Sequence, residues 1–199
     1  MPTDTARRLT DAAILAIREH GYAGTSMQDL LRDTGVSSSS MYHHFPGGKE
    51  ALVAEAVRRS GFDSAELIAA VMDRDDPADG IRLIFEAGAR EMRSHDFTLG
   101  CPIGVPATEA PTDSEAIRAA VAEVFDAWTD IYRAALERHG VDDHDAAELA
   151  RAIVAVYQGT VTLARATRSI QPYDDAITLL TNQLRVASTS QPTNRSTTR

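Results

Sequence analysis

The chain has 199 residues and a formal net charge of −9, with 43% hydrophobic and 25% charged residues. This length and balance are typical of a globular protein that buries its core in one domain or in two small ones. The single cysteine excludes an internal disulfide framework and a cysteine-based zinc finger.

The N-terminus and the apolar runs indicate where the protein works. Residues 1–9 are polar and lack the apolar stretch of a secretory signal. No run approaches the roughly 20 apolar residues that cross a bilayer. We therefore expect a cytoplasmic protein without a membrane partner.

The excess of acidic side chains is confined to the C-terminal two-thirds of the chain. Residues 1–60 hold seven basic and seven acidic side chains, so the totals of 20 and 29 leave 13 basic and 22 acidic side chains after residue 60. A net acidic balance argues against a nucleic-acid binder, because such domains are usually basic. The neutral N-terminal segment removes that objection for one end of the chain, and we expect the two regions to meet different partners.

Helical periodicity dominates the chain, and no segment shows the sustained alternation of a strand. An apolar stripe predicts a first helix that ends at Gly21. Thr25 or Ser26 caps a second helix, which ends at Gly35. A third, short helix is predicted over 38–44.

Further helices complete an all-α fold of about nine helices. A Pro- and Gly-rich loop over 96–113 surrounds one short helix. Long helices are predicted from the periodicity over 49–72, 78–94, 113–139, 143–167 and 172–187. The tail, 189–199, is rich in Ser, Thr, Gln and Pro, and we expect it to be disordered because it has nothing to bury.

Residues 26–45 have the pattern of a helix-turn-helix, in which two short helices meet at a glycine turn. A helix that needs only solubility more often carries Glu, Lys or Arg on its surface. The second helix of this pair instead carries Ser37, Ser38, Ser39, Ser40, Tyr42, His43 and His44. Small hydroxyls allow a helix backbone to approach a groove and bond phosphates or base edges, so this surface predicts contact with nucleic acid.

The first 55 or so residues strongly resemble the TetR family of bacterial transcriptional regulators. The resemblance rests on Gly21-Tyr-Ala-Gly-Thr-Ser-Met-Gln-Asp-Leu30, Gly35-Val36, Ser40-Met-Tyr-His-His-Phe45 and Gly48-Lys-Glu-Ala-Leu52. The segment Cys101-Pro-Ile-Gly104 is similar to the ligand domains of the LmrA/YxaF-like branch. The resemblance implies a homodimer with a three-helix DNA-binding domain, 1–50, and a helical domain for ligand binding and dimerisation, 51–188. In such a protein, ligand binding moves the fourth helix and spoils the match to successive major grooves.

By position, the resemblance assigns contacts with double-stranded DNA to Thr25, Ser26, Ser38, Ser39, Ser40, Tyr42, His43 and Lys49. Lys49 opens the fourth helix, whose N-terminal amides can also hold a phosphate. For Tyr42 the alternative is a packing role, with its ring against the first helix. The four-serine run departs from the family, which often has larger residues there, so the operator sequence does not follow. A metal site at His43 and His44 is rejected, because adjacent helical residues point apart and a third ligand is missing.

A pocket for a small hydrophobic effector would be lined by Phe85, Met92, Phe97, Cys101, Ile103, Phe125, Trp128, Tyr132 and Tyr157. Each of these residues has a plain core role as its alternative. Trp128 is the strongest candidate, because its indole offers both area and one donor. Gln158 and Thr162 lie one turn apart and would orient a ligand or pack in the dimer seam. The acidic count weakly favours cationic or neutral effectors, although a solvated acidic surface explains it better.

The last two long helices are expected to form the homodimer as a four-helix bundle. The apolar stripe of the first consists of Ala150, Ile153, Val154, Tyr157, Val161 and Ala164. The stripe of the second consists of Ile177, Leu180 and Leu184. An intramolecular core is the competing interpretation of both stripes.

The sequence therefore predicts a ligand-responsive regulator, a repressor released from a palindromic operator by a small hydrophobic molecule, with no cofactor. The alternative is a small helical enzyme or a binding module that acts on a hydrophobic molecule without DNA binding. A glycine-rich phosphate loop, G-x-S-x-G and H-E-x-x-H are all missing from the sequence, which disfavours the enzyme.

Overall fold

The computed structural model describes residues 4–189, with side chains described up to residue 186. Within that range the chain is all-α and has no strand, as predicted. Its nine helices are α1 (Asp4–Gly24), α2 (Met27–Thr34), α3 (Ser38–His44), α4 (Gly48–Met72), α5 (Pro77–Ser94), α6 (Gly104–Glu109), α7 (Glu115–Arg138), α8 (Asp143–Thr167) and α9 (Gln171–Thr189). Among the described residues, no helix has both the length and the apolarity needed to cross a bilayer. Apart from Thr189, which ends α9, the predicted disordered tail lies outside the described residues.

Gly21 interrupts α1 as the sequence predicts, but the helix does not end there. Its φ of +76° lies in the region that favours glycine, and it breaks the helical backbone. The chain then resumes helical geometry as far as Gly24. The apolar stripe of Leu9, Ala13 and Ile17 is fully buried on the long segment before the break.

Short-range capping contacts set the bounds of α2 and α3. The Ser26 hydroxyl accepts the N–H of Asp29 at 3.3 Å, and Gly35 ends α2 in the left-handed region with a φ of +65°. The Ser37 hydroxyl accepts the N–H of Ser40 at 3.2 Å and begins α3. Capping by Ser at the start and Gly at the end explains why these bounds agree with the sequence-based prediction.

The long helix α4 packs against both α1 and α7 and so joins the two regions of the molecule. Gly61 lies where α4 meets α7, and a Cβ built there would overlap the methyl groups of Val124. Gly61 therefore permits close approach of two helices. α4 itself continues unbroken across this contact.

The apolar stripes predicted to form the dimer interface lie inside the chain. Ala150, Ile153 and Ala164 of α8 and Leu180 and Leu184 of α9 are buried. They face inward because α8 packs against α7, and α9 packs against α5 and α8. The assignment of these side chains to the dimer interface is therefore wrong, and the competing intramolecular core accounts for them. The outward faces carry different apolar side chains, among them the exposed Leu163 and Leu179.

Candidate nucleic-acid interface and ligand cavity

The short helix α3 buries apolar side chains on one side and exposes polar groups on the other. Met41 and Phe45 are buried and fix α3 against the core. Tyr42 is 56% exposed, so more than half of the residue is open to solvent, which favours the surface role over the packing role. Near Tyr42 lie the exposed Ser38, Ser39 and His43 and the half-buried Ser40. We call this set, with Tyr42, the α3 face.

Thr25 does not belong to the exposed surface, in contrast to the prediction. Its side chain is 2% exposed, and its hydroxyl donates to the carbonyl of Gly21 at 2.7 Å. Its backbone N–H donates to the carbonyl of Tyr22 at 3.3 Å. Thr25 therefore closes the corner between α1 and α2. Ser26 is half-buried beside it, with its hydroxyl engaged in the α2 cap.

Lys49 is a structural clamp as well as a surface cation. Its ammonium donates to the carbonyl of Tyr22 at 2.6 Å and lies 4.3 Å from the centre of the Tyr22 ring. Partial burial lowers the pKa of Lys49. The sequence predicted a phosphate ligand here, but the ammonium already ties the start of α4 to the end of α1.

Two arginines of the DNA-binding region, Arg8 on α1 and Arg32 on α2, already have partners. Arg32 bridges the carboxylates of Asp29 and Asp33 at 2.5 and 3.1 Å. Arg8 donates to the carbonyl of Thr34. Contacts of this surface with an anionic partner would therefore depend mainly on hydroxyls, backbone amides and the tips of Tyr42 and His43.

The two histidines of α3 pack against each other, with ring centroids 5.2 Å apart in an edge-on arrangement. Within residues 4–189 there is no group of three His, Cys, Asp or Glu side chains that could hold a metal ion. The chemistry available to the α3 face is therefore hydrogen bonding and stacking.

The second candidate site is a cavity of about 530 Å³ among α4, α5, α7 and α8, with residues 99–103 in its wall. A volume in this range suits a small organic molecule. The predicted residues that line it are Met92, Cys101, Ile103, Trp128, Tyr132 and Tyr157. The Trp128 indole N–H donates to the carbonyl of Gly61 at 2.8 Å. Trp128 therefore offers a ligand its ring, and the predicted free donor is not available.

Two of the predicted aromatic residues are not among those that line the cavity. Phe85 is fully buried and packs edge-on against Tyr157, with ring centroids 5.2 Å apart. Phe125 packs in the same manner against Trp128 at 5.8 Å. Both residues support rings of the wall, and the core alternative holds for Phe85, whereas Phe125 is half-buried.

Phe97 and Gln158 also lie outside the wall. Phe97 packs below the guanidinium of Arg168, which lies 5.9 Å from the ring centre. The Gln158 side chain packs against Gly104 at the start of α6, and its Nε2 is buried without a hydrogen-bond partner among the described residues. Thr162 is exposed and donates to the backbone carbonyl of Gln158 at 3.0 Å.

Sequence reasoning missed Arg18, Glu91 and Tyr173, which also line the cavity. The guanidinium of Arg18 lies 2.8 Å from the Glu91 carboxylate and donates through Nε to the carbonyl of Gly100 at 3.1 Å. No local pattern marks Arg18 and Glu91, since each looks like an ordinary charge on a helix surface.

The wall contains three tyrosine hydroxyls without a hydrogen-bond partner among the described residues, those of Tyr132, Tyr157 and Tyr173. Burial raises the pKa of all three phenols, so they stay protonated and can donate hydrogen bonds at neutral pH. The hydroxyls of Tyr157 and Tyr173 both approach Gly88, where an added Cβ would lie 2.8 and 3.3 Å from them.

The wall of the cavity contacts α1 directly. The N–H of Gly100 donates to the carbonyl of Arg18 at 2.8 Å, which complements the bond from the Arg18 side chain. The N–H of Tyr22, next to the break in α1, donates to the Glu109 carboxylate of α6 at 2.8 Å. Three hydrogen bonds and the ion pair of Arg18 with Glu91 therefore connect the cavity region with the helix that leads into the helix-turn-helix.

Comparison with known proteins finds two matching family models. Residues 9–56 match that of bacterial regulatory proteins of the tetR family. Residues 77–178 match the C-terminal domain of LmrA/YxaF-like transcriptional regulators. The uncharacterized HTH-type transcriptional regulator Rv0196 of Mycobacterium tuberculosis (strain ATCC 25618 / H37Rv) is 32% identical over 175 residues, which are 84% of this chain and 87% of that protein.

Solved structures share the fold at low sequence identity. A TetR transcriptional regulator from Legionella pneumophila superposes with a TM-score of 0.81 at 19% identity, over 92% of this chain and 98% of that one. A cysteine mutant of the TetR family regulator CifR, complexed with 26bp double-strand operator DNA, superposes with a TM-score of 0.67 at 21% identity, over 96% and 97% of the two chains.

Proposed function

Because the chain belongs to the TetR family of bacterial transcriptional regulators, in its LmrA/YxaF-like branch, we propose that it is a repressor released from a palindromic operator by a small molecule. The chain is a DNA-binding transcriptional regulator and not an enzyme. The proposal adds the direction of regulation, the symmetry of the DNA site and the release by an effector. Such a repressor works in the cytoplasm, where its operator is.

The observation that carries the proposal is the α3 face. Its hydroxyls leave the backbone of α3 free to approach the major groove, while Tyr42 extends far enough to reach a phosphate. The structural relative CifR is complexed with operator DNA, which supports the same use of the shared fold. The buried Thr25 and the clamped Lys49 then support the geometry of the DNA-binding region.

The cavity supports release by a small molecule. Its wall is mostly apolar, with a few polar groups, which is the usual composition of a ligand pocket. The contacts of Gly100 with Arg18 and of Glu109 with Tyr22 give a ligand a direct way to move α1. A ligand that prefers the moved arrangement lowers the affinity for DNA by the same coupling free energy.

The outward faces of α8 and α9 support a homodimer. Leu163 and Leu179 are more than half exposed there, although both are apolar. Gly159 lies on the exposed side of α8, and an added Cβ would meet no atom within 4 Å. A small residue on an exposed apolar face allows a second helix to approach closely. Two copies joined in this way would present two α3 faces to one palindrome.

Selection of bound duplexes from a random library tests the proposal. The purified protein should enrich a near-palindromic sequence with two half-sites about one or more helical turns apart. Binding should weaken as salt rises, because phosphate contacts release counterions. Enrichment of no sequence by a folded dimer would contradict the proposal, and so would enrichment of a single asymmetric site.

A further inference from the structure

We propose that the effector is an apolar molecule with a carboxylate, and that this carboxylate binds Arg18 in place of Glu91. The inference rests on the proposed ligand-responsive function and specifies the chemistry of the ligand. It also makes a residue of α1 a direct contact of the effector.

The polar side of the cavity is built around one ion pair. Arg18 of α1 and Glu91 of α5 both line the wall, and their charged groups lie 2.8 Å apart. Arg18 is held in place twice by Gly100, through its Nε at 3.1 Å and through its own carbonyl at 2.8 Å. No comparable bond holds the Glu91 carboxylate, whose only ion pair among the described residues is with Arg18.

The two members of the pair differ in their access to water. The Arg18 side chain is 21% exposed, and the Glu91 side chain is 47% exposed. A carboxylate that turns into water loses little, since exposed ion pairs contribute little. A guanidinium left without a counter-ion in a mostly apolar wall costs far more. An anion can therefore readily replace Glu91 as the partner of Arg18. A cation that bound Glu91 would instead leave Arg18 without a counter-ion.

Additional donors lie on the same side. Gly88 is one turn from Glu91 on α5, and the hydroxyls of Tyr157 and Tyr173 approach it. These phenols are protonated and have no acceptor among the described residues, so a carboxylate beside Arg18 would satisfy them.

This local arrangement reverses the preference drawn from composition. The acidic balance of the C-terminal region favoured cationic or neutral effectors, but the more deeply buried charge in the wall is that of Arg18. The remaining wall is mostly apolar, with Leu67, Ile68 and Met92 among its residues and Ser60 and Ser64 as its polar exceptions, and it accommodates the body of the ligand. Exchange of Glu91 for a ligand carboxylate releases α5 from α1, which is how binding would reach the DNA-binding region.

Decanoate, decanol and decylamine test the proposal, because they share one alkyl chain and differ in the charge of the head group. Binding is measured by calorimetry and by the fluorescence of Trp128, the single tryptophan, in the cavity wall. Decanoate should bind about tenfold more tightly than decanol or decylamine. This is the gain in affinity expected from one charge-assisted hydrogen bond to Arg18. Tighter binding of decylamine, equal binding of all three, or no binding of decanoate would overturn the proposal.

Two variants separate a ligand contact from a structural ion pair. Arg18→Met should lower the affinity for decanoate to that for decanol and leave decanol binding unchanged. Glu91→Gln should raise the affinity for decanoate severalfold, because Arg18 loses its competing partner. A merely structural pair predicts the same change from both variants. Arg118→Met is the matched control, since it also breaks an arginine–glutamate pair, with Glu115 on α7. It should leave the affinities for decanoate and decanol unchanged.

Operator binding is measured separately on the same preparations. Decanoate that binds through Arg18 but leaves the operator affinity unchanged would contradict release by the effector, while the carboxylate site would stand. Operator release by decylamine or decanol at lower concentration than by decanoate would contradict the carboxylate site. The proposed function as a repressor released by an effector would still be supported.

Discussion

The helix-turn-helix and the cavity satisfy their polar groups in different ways. In the first, the capping hydroxyls bond backbone groups a few residues away, as Ser26 does with Asp29, whereas the hydroxyls of Ser38 and Ser39 on the α3 face have no hydrogen bond among the described residues. In the second, Arg18 pairs with Glu91 across two distant helices, and three phenols have no acceptor among the described residues. Local bonds hold the helix-turn-helix and leave its exposed hydroxyls available to a partner, whereas a long-range ion pair holds the polar part of the cavity and leaves its phenols available to a ligand.

The two regions meet at α1, which belongs to both. Its first turns pack in the core of the helix-turn-helix, while Arg18 and Tyr22 near its end contact the cavity wall and α6. The break at Gly21 lies between these two contacts. Movement of the cavity wall would therefore act on the corner that Thr25 closes.

The largest effect is expected at the outward faces of α8 and α9. The experiment tests whether these faces form the dimer independently of the helix-turn-helix and the cavity. Leu163→Glu combined with Leu179→Glu places charges on the outward faces of α8 and α9 and should raise the dimer dissociation constant about 100-fold or more. Analytical ultracentrifugation checks this, and operator binding should fall with it. Leu15→Glu is the control, because Leu15 is 50% exposed on α1 and should leave the dimer intact. An unchanged dimer in the double variant would contradict the assigned interface.

A smaller effect is expected on the α3 face alone. Tyr42→Ala should weaken operator binding about tenfold, because one phosphate hydrogen bond and its contact area are lost. The free energy of unfolding and the dimer should stay unchanged, since Tyr42 is exposed. Fluorescence anisotropy and urea unfolding measure the two quantities. Phe62→Ala is the control, because it removes a partly exposed ring from a different helix, α4. It should leave operator affinity and the free energy of unfolding unchanged. Unfolding of the Tyr42 variant would show that the ring serves the core.

The smallest effect tests whether a residue of the DNA-binding region serves the fold. Lys49→Met removes the bond to the carbonyl of Tyr22 and the contact with its ring. The free energy of unfolding should fall by about 1 kcal/mol. Urea unfolding checks this, with the exposed Arg7→Met as the control. Unchanged stability, with a loss of operator binding as large as that of Tyr42→Ala, would restore Lys49 as a plain phosphate ligand.

The helix-turn-helix could be predicted from the sequence because local signals define it. Ser26, Gly35 and Ser37 set the helix bounds within a few residues, and the exposed serines stand out by type. The burial of Thr25 was not predictable, because it depends on the position of the Gly21 carbonyl after the break in α1. The position of Lys49 depends in the same way on Tyr22, which belongs to another helix.

The cavity could be predicted only in part, because its wall comes from six helices and a loop. Aromatic type and helical spacing identified Trp128, Tyr132 and Tyr157, but the same criteria also selected Phe85, which lies one layer behind. Which apolar stripe of α8 and α9 faces inward is decided by the packing of α5 and α7. The helical periodicity of apolar residues does not show which of two apolar faces points inward. The stripe predicted to form the dimer was therefore the one that faces the core.

The affinity of the dimer for its selected palindrome, compared with a shuffled duplex of the same composition, tests most directly whether the α3 face reads DNA. Both affinities are measured by anisotropy at one salt concentration. The palindrome should bind about 1,000-fold more tightly or better, as specific regulators do. Equal affinities for the two duplexes would contradict the claim that the α3 face reads DNA.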